Sequence, residues 1–259
     1  MSISADQMIL FFLIFARLLG LIQQAPLFNN KDIFALAKLV LVFWVSMLCV
    51  FLVPTVIRLP HSLLELAPAV VVEFLVGAVI GYVMQLIIIS VEFAGSLIDN
   101  QAGLSASSVL DPSSGQSNPV LTRLMTQVAT IVFVVVNGHL LVLRAILESF
   151  KILPVGSPID IPSTMEALMV TGQDIFSIGL QIAMPVILVI FLTDFALGLV
   201  NRVAPQVNVF QLGFQIKPIV AVLVMLFALP VTLELITSVI QKMTERSFEL
   251  MIIMRGVHG

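Results

Sequence analysis

The chain has 259 residues, 59% of them apolar and only 10% charged, where soluble domains run at about 45–50% apolar and about 25% charged. So few charges cannot cover a free soluble monomer, and 12 basic against 15 acidic residues, net −3, exclude the basic face that nucleic acid demands. The single cysteine, Cys49, excludes an intrachain disulfide and a cysteine metal cluster. The chain is expected to be built into a membrane, or into a large oligomer that buries its apolar faces.

Hydropathy divides the chain into six long apolar segments. Met1 to Gln7 carries no Lys or Arg and so lacks the basic start of a secretory signal. The first segment, Met8–Gln24, ends at Pro26 and the polar run 29–32; the second, Ile33–Leu59, closes at Pro60 and His61. A third, Leu63–Gly103, would be about 60 Å long as one helix, twice the roughly 30 Å bilayer core, and Pro68 kinks or starts it. The fourth spans Val120–Phe150, the fifth Ser163–Val203 with Pro185 inside, and the sixth Gly213–Met254. Each is too long for a strand and lacks strict alternation, so the expected fold is all-α, made of long kinked helices.

Two features sit badly with six simple spans. Sorting the basic residues onto alternate sides puts Lys31, Lys38, Arg123, Arg202 and Lys217 on one. Arg58, Arg144, Lys151, Lys242, Arg246 and Arg255 fall on the other. No positive-inside bias results, and no orientation follows. Phe occurs 18 times while Trp44 and Tyr82 stand alone, although interfacial belts are built from Trp and Tyr.

Chemistry-bearing motifs are sparse. No phosphate loop, zinc pair or dinucleotide turn is present, and His61, His139 and His258 are too scattered for a metal site. Ser105, Ser107 or Ser108 with His139 is too unspecific a set to carry a protease. No enzyme activity and no cofactor are expected. Arg17, Glu73, Glu92, Asp99, Arg144, Glu148 and Asp194 are ionisable residues within apolar segments, and such groups face a protein partner or a wet path. Gln85, Glu92 and Asp99 recur every seven residues and read as a polar seam that Gln101 extends. Arg144 and Glu148, four apart, can pair on one helix. Gly77 and Gly81 form a G-x-x-x-G step that admits another helix backbone closely.

Between the third and fourth segments, Leu104–Pro119 carries one charge, Asp111. Asp111-Pro112 and Asn118-Pro119 initiate turns, with Gly115 relaxing the chain between them. Leu104, Val109 and Leu110 are apolar, and Ser105 and Ser107 are small. A plain connecting loop remains the simple alternative.

Taken with its flanks, this stretch becomes familiar. Ala94-Gly-Ser-Leu-Ile-Asp-Asn-Gln-Ala-Gly103, then Asp111-Pro112 and Asn137-Gly-His139, resemble the FliR family of flagellar type III secretion export-gate proteins, which has injectisome homologues. The likeness extends to Arg17-Leu-Leu-Gly20 with Ala25-Pro26, Ser149-Phe150 with Pro154, and Asn201-Arg-Val-Ala-Pro-Gln-Val-Asn-Val-Phe210. It covers residues 8 to 230; the tail from Gln241 onward carries no matching motif.

The resemblance implies an all-helical subunit that assembles with FliP-like and FliQ-like membrane chains into a gate for unfolded flagellar export substrates. FlhB-like and FlhA-like export proteins would be further partners, and the place would be the bacterial inner membrane at the flagellar basal body, with helices partly on the periplasmic side. Residues 1–160 would form a FliP-like part and 161–259 a FliQ-like hairpin with the tail. Leu104, Ser105, Ser107, Val109, Leu110, Asp111, Pro112, Gly115, Asn118 and Pro119 would lie in a loop that helps close the channel. Arg17, Gly77, Gly81, His139, Arg202, Pro205, Asn208 and Phe210 are the residues expected at subunit contacts. The rival expectations are an autonomous small-solute transporter lined by Gln85, Glu92 and Asp99, or the homologous export-gate subunit of an injectisome.

Overall fold

A computed structural model describes residues 5–26, 28, 34–53, 60, 62–105 and 119–256. The fold is all-α, as expected. Among the described residues the helices are α1 (Ala5–Gln24), α2 (Ala35–Leu52), α3 (Leu63–Gln101), α4 (Val120–Val135), α5 (Gly138–Ile152), α6 (Ile161–Val203) and α7 (Val209–Met254). Among these same residues α1, α2, α3, α6 and α7 are each long and apolar enough to cross a membrane, and α4 with α5 passes the same test only as a pair, bent by 66° between them.

Local chemistry sets three of the helix starts. Ser62 accepts the Glu65 N–H on its side chain at 3.3 Å, and Glu65 lies in the first turn of α3, a capping-box spacing. Pro68 lies inside α3, near its start. Asp160 opens α6 by accepting the Ser163 N–H and hydroxyl. Asn208 opens α7 by accepting the Gln211 N–H at 3.2 Å, so this helix starts at Val209 rather than at the expected Gly213. Helix α2 ends at Leu52 with Val53 as its cap, and residues 54–59 of the second segment lie outside the described residues.

The single fourth segment expected over Val120–Phe150 is two helices. Asn137 adopts φ 59° and ψ 33°, a left-handed conformation that Asn tolerates better than most residues. Gly138 follows because an added Cβ would meet the ring of Phe133. Hydropathy is blind to this break, since both sides of it are apolar.

The chain forms two compact units that interleave along the sequence: 1–86 with 133–172 and 240–259, and 87–132 with 173–239. The first unit is centred on Leu13, Ile14, Leu18, Ile80, Ile146 and Leu153, all buried. The second buries Val91, Ala94, Ile98, Leu121, Ile190 and Ala221. Large apolar side chains remain exposed along α6 and α7, among them Phe176, Phe191, Phe195 and Phe227.

Candidate functional site

Two buried polar clusters stand out, one in each unit. In the first, Arg17 sits within α1 with 2% of its surface exposed. Its Nε donates to Glu73 Oε2 at 2.6 Å, and Nη2 lies 2.6 Å from the same oxygen. Nη1 donates to the carbonyls of Leu153 at 2.7 Å and Ser149 at 3.1 Å. The guanidinium also lies 4.7 Å from the centre of the Phe150 ring, a favourable cation–π arrangement.

These contacts answer a definite need. The Ser149 carbonyl also accepts the Leu153 N–H at 2.9 Å, so Arg17 adds a second donor there and supplies one to the Leu153 carbonyl just past the end of α5, where a cation is favoured by the dipole. Glu73 spends its second oxygen on the Gly156 N–H at 3.0 Å. Both charges are therefore paired and hydrogen-bonded, the condition under which buried ions are tolerated. The helices come this close because the crossing of α1 and α3 is lined with glycine. A Cβ on Gly20 would strike the Phe74 carbonyl, one on Gly77 the Arg17 carbonyl, and one on Gly81 the Leu21 carbonyl.

The second cluster centres on Asp99 near the end of α3, which is fully buried. Its Oδ1 accepts the Leu121 N–H at 3.1 Å. Its Oδ2 accepts the Thr122 N–H at 2.9 Å and the Thr122 hydroxyl at 2.6 Å. Leu121 and Thr122 belong to the first turn of α4. Gly95, one turn earlier on α3, lets that helix start close in: an added Cβ would lie 2.5 Å from Thr122 Cα. Gly103 ends α3 at φ +76°, where glycine costs least.

The remaining predicted residues are scattered. The seam does not persist as one wet stripe: Glu92 is exposed, Gln85 and Gln101 are half-buried, and Asp99 is committed to α4. Gln85 Oε1 is buried without a hydrogen-bond partner among the described residues. Glu148 pairs with Lys151 at 2.9 Å rather than with Arg144. The face of Gly77 and Gly81 is taken by α1 of the same chain. Arg17 is likewise occupied within the chain.

His139 is half-buried in the first turn of α5. Arg202, Pro205, Asn208 and Phe210 are exposed around the α6–α7 turn, with Phe210 packed edge-on against Phe214 at 4.8 Å. Leu104, Ser105 and Pro119 are half-buried. Ser107, Val109, Leu110, Asp111, Pro112, Gly115 and Asn118 lie outside the described residues.

Sequence reasoning missed three pairings: Arg17 with Glu73, Asp99 with the start of α4, and Asp194 with Lys217 at 2.6 Å. The available signal was charges isolated in apolar segments, which says that partners are needed without saying which. Among the described residues no three His, Cys, Asp or Glu side chains group as a metal site. Neither cluster presents a reactive group to a cleft, and what both do is fasten helices.

Residues 8–243 match the family of bacterial export proteins, family 1. The chain is 33% identical over 221 residues to the flagellar biosynthetic protein FliR of Escherichia coli (strain K12), covering 85% of this chain and 84% of that protein. It is 32% identical over 228 residues to the flagellar biosynthetic protein FliR of Pectobacterium carotovorum subsp. carotovorum, with the same coverage. Identity to the flagellar biosynthetic protein FliR of Bacillus subtilis (strain 168) is 28% over 234 residues, 88% of this chain and 89% of that one.

Proposed function

The chain belongs to the family of bacterial export proteins, family 1, and we propose that it is a core subunit of a flagellar type III protein export gate. Its partners are then FliP-like and FliQ-like chains, with FlhB-like and FlhA-like proteins beside them and unfolded flagellar proteins as cargo, in the bacterial inner membrane. Residues 1–160 supply the FliP-like part and 161–259 the FliQ-like hairpin. Exposed Arg202, Pro205, Asn208 and Phe210 are the contacts at the hairpin turn.

One observation carries this reading beyond likeness. Helices α6 and α7 have 43 and 46 residues, about 64 and 69 Å at 1.5 Å per residue, against a bilayer core of about 30 Å. Exposed apolar side chains run along α6 from Ile161 to Val203, far past one bilayer thickness, and need protein to cover them, while on α7 they run mainly from Phe210 to Val231. A solute path along Gln85, Glu92 and Asp99 is disfavoured, since Asp99 is fully buried and spent on α4.

The test is co-expression. Alone, the chain should aggregate or be degraded; with FliP-like and FliQ-like chains it should form a stable complex. A monodisperse, protease-resistant lone chain that carries a solute would instead establish the transporter. Within the gate, the 104–119 segment closes the resting channel, its apolar residues drying the path. Deleting 106–116 should leave assembly intact and admit ions or small solutes into cells carrying the gate alone.

A further inference from the structure

Helix α4 carries three different surfaces over its first three turns. Leu121, Thr122, Met125 and Ala129 form the buried face, where Gly95 of α3 comes against Thr122. The outward half is split lengthwise. Leu124 and Ile131 are exposed along one flank, with Val128 half-buried beside them. Along the other flank run Arg123 and Gln127, both exposed, with Thr126 and Thr130 half-buried. Positions 123, 126, 127 and 130 follow the i, i+3, i+4, i+7 spacing that keeps side chains on one side of an α-helix. An exposed polar row in a chain this apolar faces either a partner or water, since lipid accepts neither a guanidinium nor an amide cheaply.

Three features decide for water. Thr126 donates its hydroxyl to the Thr122 carbonyl at 2.9 Å, and Thr130 to the Thr126 carbonyl at 2.7 Å, so neither hydroxyl needs an acceptor from another chain. Helices that pack closely in membranes meet through small residues, and α4 places that chemistry on its buried face, with Ala129 there and Gly95 against Thr122. Arg123 and Gln127 are long side chains that lose much rotamer freedom when a neighbour pins them, and water leaves them that freedom. We propose that this flank of α4 is a wet wall of the export path, along which the hydrated, unfolded cargo chain passes. The assignment rests on reading the chain as an export-gate subunit. Over roughly 10 Å from Arg123 to Thr130, the flank offers guanidinium, amide and hydroxyl groups. These exchange hydrogen bonds with the peptide groups of any sequence, and no large apolar side chain stands between them to hold a passing apolar segment.

The experiment uses the full chain assembled in membrane vesicles with cysteine-free FliP-like and FliQ-like partners. In a Cys49→Ala background, single cysteines replace Thr126, Gln127 or Thr130 on one flank and Leu124, Val128 or Ile131 on the other. The probe is a charged, membrane-impermeant thiosulfonate, which reacts with the thiolate. The polar flank should label at least about 10-fold faster, the effect of one unit of thiol pKa between water and apolar surroundings. A cargo chain fused to a domain that cannot unfold, stalled in the gate, should slow labelling of the polar flank. It should leave a cysteine at the exposed Asn208 unaffected. Equal rates on both flanks, or a polar flank that does not label in the assembled complex, overturn the proposal. Labelling that a stalled cargo leaves unchanged means that the flank is wet but lies off the path, and overturns it too. If no cargo stalls in the assembled complex, the gate reading itself falls and takes this assignment with it. Thr126→Cys and Thr130→Cys nearly keep the native shape, so they carry the test alone should Gln127→Cys fail to assemble.

Discussion

Glu73 and Asp99 are two carboxylates on one helix, both buried, and each solves its burial in a different way. Glu73 is answered by a full opposite charge, Arg17, whose remaining donors cover the end of α5. Asp99 is answered by backbone N–H groups and one hydroxyl at the start of α4. The first arrangement cannot lose either partner without stranding a charge. The second needs no counter-charge but uses both oxygens as acceptors, of which an amide would keep one. Burial alone therefore says little about how a site responds to mutation; the identity of the partner decides it.

The largest effect should come from breaking the charged cluster. Arg17→Ala leaves Glu73 uncompensated and takes the guanidinium donor from the Leu153 carbonyl, a loss of about 3–5 kcal/mol. It should be read as a drop in folded protein and in the thermal midpoint of the detergent-purified complex. Arg17→Met with Glu73→Leu should be milder than either single change, because replacing both ions removes the stranded charge. A double variant as unstable as Arg17→Ala would mean that packing rather than charge pairing dominates there.

Next in size is the glycine crossing that makes the pair possible. Gly77→Ala puts a methyl into the Arg17 carbonyl, and forcing α1 away from α3 should cost about 1–3 kcal/mol. Gly172→Ala is the control, because an added Cβ there meets nothing within 4 Å. In a helix interior that change should stabilise by about 0.5–1 kcal/mol. The two substitutions should shift the thermal midpoint in opposite directions.

The smallest effect belongs to Asp194 and Lys217. They pair at 2.6 Å but keep 37% and 24% of their side-chain surface exposed. A partly solvated pair of this kind contributes about 0–1 kcal/mol. Lys217→Met should barely move the midpoint of the purified complex. A loss as large as that of Arg17→Ala would show that the pair is covered in the assembly and belongs with the first class.

Much of the architecture could be read from residue order, and the reasons are local. Long apolar runs without alternation specify helices, and a capping signal such as Ser62 with Glu65 works over a few residues. The stretches Arg17–Gly20, Ser149–Phe150 and Ala94–Gly103 could be recognised without knowing why they matter. Folded, the first two meet in one cluster across more than a hundred residues, Arg17 reaching Ser149 and Leu153. The third supplies the close approach, the buried carboxylate and the turn of the other cluster through Gly95, Asp99 and Gly103. The break at Asn137 was hidden because hydropathy measures side chains, whereas the break is a backbone dihedral.

Composition and hydropathy were sufficient for the membrane class, the all-helical fold and most helix limits, since each follows from side-chain transfer energies and short-range hydrogen bonds. Which buried charge answers which was settled only when the chain folded. Arg17 and Glu73 are 56 positions apart, and every lone charge in an apolar run asks equally for a partner. The choice among partners depends on which backbones can touch. Here that depends on glycines whose meaning emerges only when a second helix is laid against them.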